Sequence, residues 1–258
     1  MKIYLKVLGF LLLLSCTSNK KATNIKVSNQ EFEIKSTSAN WLDSARYRLI
    51  PVAVYTPIVK EKIRNQQLVI VSHGYGGNKP DANKLYSYIT KKLASKGYYV
   101  VSIQHELPTD DLLPLTGIPQ VVRRSNWVRG SENILFVINE LKKVKPELDF
   151  KHVNLIGHSN GGDMTVLFDH KCPNLVDKII SLDNRRMELP RTSQPKIYSI
   201  RSSDQPAADG VLPTLKEQKK FGIKIIKLPN TIHNDMNNKG NKKQKREINR
   251  YILGFLNE

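Results

Sequence analysis

Val153-Asn154-Leu155-Ile156-Gly157-His158-Ser159-Asn160-Gly161-Gly162 is the stretch whose reading decides this fold. Val153, Leu155 and Ile156 make a short apolar strand, and Gly157 opens a tight turn with Ser159 at its apex. A residue at such an apex adopts a strained backbone conformation, and the chain on either side must approach closely. Glycine at both flanks tolerates that crowding, which is the physical content of a G-x-S-x-G spacing. A helix follows, from Gly162 to about His170, with its N-terminus directed at the serine. Its free amides and positive dipole end can therefore hold a developing anion.

A second glycine motif lies upstream. His73-Gly74-Tyr75-Gly76-Gly77 closes another apolar run, Leu68-Val69-Ile70-Val71-Ser72. A strand ending in His-Gly-x-Gly can turn a backbone N–H into a cleft with no side chain in the way. Together, in this order and at the ends of two expected parallel strands, the motifs resemble those of the α/β-hydrolase family, from about Tyr47 to the C-terminus. The resemblance implies an oxyanion hole built from the amides of Tyr75 and Asn160. It also implies a mostly parallel sheet of about eight strands with helices on both faces.

The rest of the chain reads in the same way. Apolar, β-rich runs recur at 68–72, 98–104, 153–157, 178–182, 196–201 and 223–228, separated by helix-length segments, which is the pattern of an α/β protein with a covered parallel sheet. Tyr47 to Tyr55 reads as an early edge strand or hairpin. Helices are expected at Asp81–Lys96, Val128–Lys143, Asp163–His170, Leu212–Phe221 and Lys242–Leu256. Glu106 to Asn126 shows no helical period. This long loop either places Leu112, Leu113, Leu115, Arg123, Arg124 and Trp127 along a cleft or is a surface excursion with a few buried leucines.

A serine hydroxyl needs a base, and the base needs an orienting acid. The family resemblance implies the chain order Ser, acid, His. Of the six histidines, only His170 and His233 follow Ser159. His170 sits about three turns along the helix, so His233, in the loop before the last helix, is the expected base. Three carboxylates end suitable segments. Asp204, after the 196–201 run, is the expected acid; Asp183, after 178–182, and Asp209 are the alternatives. Gln205 to Ala208 lengthens the loop that the family resemblance assigns to the acid. His73 and His158 read as braces for the two motifs. The implied activity is hydrolysis of carboxylic esters through an acyl-enzyme, on a small-molecule, lipid or polymer ester. A peptidase or acyltransferase, or a binding protein without turnover, are the other readings. The chemistry calls for no cofactor and no metal, and no His/Cys/Asp set has ligand spacing.

The N-terminus speaks to location. Lys2 and Lys6 precede the apolar stretch Val7–Leu14, too short for a permanent membrane span and suited to a signal peptide of residues 1–15. Leu13-Leu14-Ser15-Cys16 resembles the lipobox of bacterial lipoproteins, which implies lipidation at Cys16 and anchoring at the cell envelope. Residues 16–40 read as a flexible tether and 41–258 as one domain, since 258 residues with 40% hydrophobic content suit one sizeable α/β unit. With Cys16 acylated, Cys172 remains as an unreactive thiol and no disulfide can form. The formal net charge is +18, and removal of Lys2 and Lys6 lowers it by two. The basic residues are dispersed, with no aromatic interleaving, so a nucleic-acid partner is not expected. A solvated basic face is the simpler account.

Overall fold

The computed structural model describes residues 31–258; the expected signal peptide, its Cys16 and the first part of the expected tether lie outside the described residues. Eight strands form one sheet: β1 (Ile34–Asp43), β2 (Arg48–Pro57), β3 (Gln66–Ser72), β4 (Tyr99–Ile103), β5 (Leu148–His158), β6 (Lys178–Leu182), β7 (Lys196–Arg201) and β8 (Lys224–Lys227). Their spatial order is β1-β2-β4-β3-β5-β6-β7-β8. The β1–β2 and β2–β4 pairs are antiparallel, and from β4 to β8 every pair is parallel. All the strands expected from the apolar runs are present.

Successive side chains of a strand face opposite sides of the sheet, and β3 shows what this does. Leu68 and Ile70 enter one core, while Val69 and Val71 enter the other. The first core is closed by α3 (Arg124–Val144) and α4 (Ser159–Lys171), which contribute Trp127, Ile134, Ile138, Leu167 and Phe168. The second is closed by α1 (Ser87–Ser95) and α6 (Lys242–Leu256), through Ile89, Leu93, Ile248, Ile252 and Phe255. Two short helices, α2 (Pro119–Val122) and α5 (Leu215–Phe221), complete the set. The last helix starts where its sequence says it should. Asn241 caps it by accepting from the Lys243 and Gln244 amides, and Gln244 returns the bond to the Asn241 N–H. Among the described residues, no helix is long and apolar enough to cross a membrane.

One boundary differs from expectation. Residues 34–40, read as the end of a tether, belong to β1, which pairs with β2 along its whole length from Ile34–Pro57 to Asp43–Arg48. Lys35-Ser36-Thr37-Ser38-Ala39-Asn40 is polar and exposed. An edge strand held by main-chain bonds needs no buried face, so it carries no apolar alternation to be read.

Candidate active site

β5 ends in His158 and α4 begins at once with Ser159, so the serine sits at the crest of the sheet with φ 52°. That left-handed backbone is rare for a side chain other than Asn or Asp and marks strain held by the surroundings. Those surroundings are visible at Gly161. A Cβ there would lie 2.6 Å from the Ser72 carbonyl oxygen and closer still to that of His73. Only glycine lets α4 rest against the end of β3. Gly74 closes the gap from the other side, since a Cβ on it would lie 3.4 Å from the Ser159 Cβ and 2.8 Å from His158 Nδ1. The loop carrying Tyr75 is thereby held beside the serine. Tyr75 turns its hydroxyl away to accept from the Leu113 amide at 3.0 Å. Its own N–H has no partner among the described residues, and that of Asn160 lies in the first turn of α4, where no intrahelical acceptor exists.

His233 comes from the turn after β8 and reaches Ser159 as expected, with Nε2 at 2.9 Å from Oγ. Its Nδ1 lies 2.5 Å from Asp183 Oδ2. The ring partner is thus Asp183, and the expectation of Asp204 is corrected. Asp204 is exposed and accepts the main-chain N–H of His233 at 2.7 Å, so it holds the turn and leaves the imidazole to Asp183. Asp209 is exposed and its carboxylate meets none of these groups.

Asp183 is buried and tightly clamped. Oδ1 takes Arg201 Nη2 at 3.0 Å and the Ser202 amide at 3.0 Å, while Oδ2 also takes Ser202 Oγ at 2.6 Å. Burial pushes its pKa up. The His233 bond, the Arg201 charge and the two Ser202 donors outweigh that and hold it below the ordinary carboxylate range. An ionised Asp183 fixes the His233 tautomer with the proton on Nδ1, which leaves Nε2 free to accept from Ser159.

The other motif histidines serve as braces. Tyr86 accepts from the Gly74 amide at 3.1 Å, and its hydroxyl stands 2.6 Å from His158 Nδ1. Burial lowers His158 to about 3, so it is neutral near pH 7. Its ring lies against that of His233, with centroids 4.6 Å apart. His73 Nε2 accepts the His105 amide at 3.0 Å, which places its proton on Nδ1, 2.7 Å from the Gly74 oxygen.

The long loop is largely a surface excursion with one buried leucine, the second of the two ways its sequence left open. Leu112, Leu115 and Arg124 are exposed, Leu113 is buried, and Arg123 is half-buried. Trp127 is not at the cleft surface. It is fully buried and donates from Nε1 to Asn160 Oδ1 at 2.7 Å. Asn160 Nδ2 donates in turn to Glu106 Oε1 and Asn126 Oδ1, both at 2.9 Å. This buried set pins the residue after the nucleophile. Glu106 and Asn126 escaped the sequence reading because neither lies in an apolar pattern, Asn126 standing in the first turn of α3 ahead of its apolar face, where a polar residue reads as solvated. Among the described residues, no group of three His, Cys, Asp or Glu is arranged to hold a metal ion.

No protein-family model and no curated protein matches this sequence. Solved structures do. Brefeldin A esterase, described as a bacterial homologue of human hormone-sensitive lipase, matches over 90% of this chain and 79% of its own, with 13% identity and a TM-score of 0.60. The fold is that of the α/β-hydrolases. A putative dienelactone hydrolase from Klebsiella pneumoniae matches over 87% of this chain and 98% of its own, with 11% identity and a TM-score of 0.61. The esterase Est22 bound to p-nitrophenol matches over 87% and 81%, with 13% identity and a TM-score of 0.59.

Proposed function

We propose that the protein is a serine hydrolase acting on carboxylic esters. The observation that carries this reading is the continuous line from Ser159 Oγ through the His233 ring to Asp183, with distances of 2.9 and 2.5 Å. His233 Nε2 takes the Ser159 proton as Oγ attacks the ester carbonyl. Asp183 keeps the ring oriented and stabilises the imidazolium that forms. The amides of Tyr75 and Asn160 hold the oxyanion. His233 then passes the proton to the departing alcohol, and water, activated by the same imidazole, releases the acid from Ser159. Each hole donor is worth roughly 2.7–4 kcal/mol of barrier in enzymes of this kind. Esterases among the structural neighbours support the class of reaction, and the choice among esters rests on this chain's own residues.

A series of p-nitrophenyl esters of increasing acyl length, with a peptide substrate included, tests the assignment. Wild type should cleave esters, and Ser159→Ala should lower kcat by about a million-fold, as loss of such a nucleophile does elsewhere. Equal rates for the two proteins would remove the reading.

We also propose that the mature protein is tethered to the bacterial envelope through lipidated Cys16, a reading supported by the Leu13-Leu14-Ser15-Cys16 ending of the apolar leader. Cys16→Ser should move the protein from the membrane pellet to the soluble fraction. Unchanged sedimentation would defeat the anchor.

A further inference from the structure

Two segments that flank the serine carry paired arginines. Arg123 and Arg124 stand at the start of α3, one turn ahead of Trp127, whose indole holds Asn160. Arg185 and Arg186 follow Asp183, the residue bonded to His233. The two segments meet where Arg124 Nη1 lies 4.0 Å from Met187 Sδ. The second is fastened above α4 by Asp163, one turn along from Ser159, which accepts the Arg186 and Met187 amides at 2.9 Å each. All four arginines are therefore carried by segments that pack around the nucleophile.

No carboxylate pairs with them directly. Among the described residues, none of the four guanidinium groups has an Asp or Glu oxygen within 4.0 Å, whereas Arg46, Arg48 and Arg201 all do. The Asp163 carboxylate spends its Oδ1 on main-chain amides, and burial pushes its pKa up, which weakens it as a counter-ion. Arg185 bonds to the uncharged Gln205 side chain, and its Nε is buried without a partner. Arg123 donates from Nε to the Pro114 carbonyl at 2.8 Å. Burial, and then the neighbouring charge of Arg186, lower the pKa of both Arg123 and Arg185. The Asp163 and Asp183 charges offset this only in part, and like charges packed together destabilise a fold, so an anion is a ligand that lowers the penalty. Arginine suits this because its planar fork grips carboxylate and phosphate oxygens in pairs.

We propose that Arg123, Arg185 and Arg186 form an anion subsite beside Ser159, so that the preferred substrate is an ester carrying a carboxylate or phosphate. This deepens the hydrolase reading and rests on it for the reaction, though not for binding.

The test has a kinetic and a binding arm. Wild type is assayed on the 4-nitrophenyl monoester of adipic acid and on its neutral methyl-capped counterpart. A second pair, glycerol 3-phosphate monobutyrate against glycerol monobutyrate, is followed by acid release. In at least one pair, kcat/KM should favour the anionic member by tenfold or more, and the pair that shows it identifies carboxylate or phosphate. Arg186→Gln and Arg123→Gln should each cut that ratio at least fivefold, Arg186→Lys should restore part of it, and 0.5 M salt should shrink it. Arg185→Gln is included as the more buried position. In the binding arm, Ser159→Ala is titrated calorimetrically with monomethyl and dimethyl adipate and with the two glycerol esters. Tighter binding of an anionic probe, weakened by Arg186→Gln, supports the subsite even if no ester is turned over. Ser159-dependent cleavage with equal kcat/KM within both pairs, or equal binding of charged and neutral probes, would overturn it while leaving the hydrolase reading in place.

Discussion

Asp183 meets His233 through the ring, and Asp204 meets it through the main chain. The two contacts do different work and should fail differently. Asp183→Asn presents an amide where the ring needs an acceptor, so the wrong tautomer is favoured and kcat should fall by about 1,000- to 10,000-fold. Asp204→Asn removes a charge from an exposed bond to one amide, a loss of about 1 kcal/mol, and should lower kcat by roughly tenfold at most. Steady-state kinetics of both variants on one ester decides the matter; a larger loss from Asp204→Asn would reassign the acid. The sequence made Ser159 legible through its turn chemistry, and His233 through its loop position together with the chain order that the family resemblance implies. It left the acid open because an aspartate follows each of β6 and β7, Asp183 at once and Asp204 three residues on. One signal was present. Asp183-Asn184 pairs the two residue types that best tolerate positive φ, and Asp183 has φ 57°. Such a turn bends the side chain back over the sheet, whereas Asp204 stands farther out along its loop.

At the level of elements, the buried strands and the amphipathic helices α3 and α6 declared themselves through apolar periodicity, because burial on a sheet imposes it. The elements that escaped are those whose reason to exist lies elsewhere. β1 is polar and held by its partner. The start of α3, at Arg124 instead of Val128, holds Asn126 and Trp127 for a buried polar network that no local pattern encodes. β1 also has a protective role. β2 contributes Val52, Ala53, Val54 and Tyr55 to the interior, and without β1 its outer main chain would be bare. A chain truncated through Asn40 should therefore associate through that edge and aggregate on concentration. Size-exclusion chromatography against the untruncated protein checks this; a monomer with an unchanged melting temperature would refute it.

The molecule as a whole should be sensitive to mild acid, and two histidines are the cause. Burial holds His158 at about 3. His105, likewise buried, with both ring nitrogens unpartnered and with the Arg48 and Arg129 charges adding to the effect, is held well below 6.5. The unfolded chain binds two protons below about pH 6.5 that the folded protein refuses. Stability from these groups is therefore full above pH 6.5 and lost as pH falls. The slope approaches about 2–3 kcal/mol per pH unit near pH 5, since one proton is worth about 1.4 kcal/mol per unit. Asp183 has the same sign at lower pH. Its depressed pKa contributes stability that is present above 3.8 and disappears as pH drops through the folded value. Urea unfolding at pH 7.5, 6 and 5 measures this, and a flat midpoint across that range would contradict the neutral burial of both rings.

The placement of the acid on β6 frees its neighbour. Because the serine and its carboxylate ride on two adjoining strands, the loop beyond β7 owes the chemistry little past Asp204. Pro206 and Ala207 lie there on an accessible rim, one exposed and one half-buried, lining a hollow of about 440 Å³. That rim is also tied to the segment after β6, since Gln205 accepts from the Arg185 guanidinium and the Ala208 amide donates to the Arg185 carbonyl, so a change of length there would shift the paired arginines before it reached the proton-carrying line.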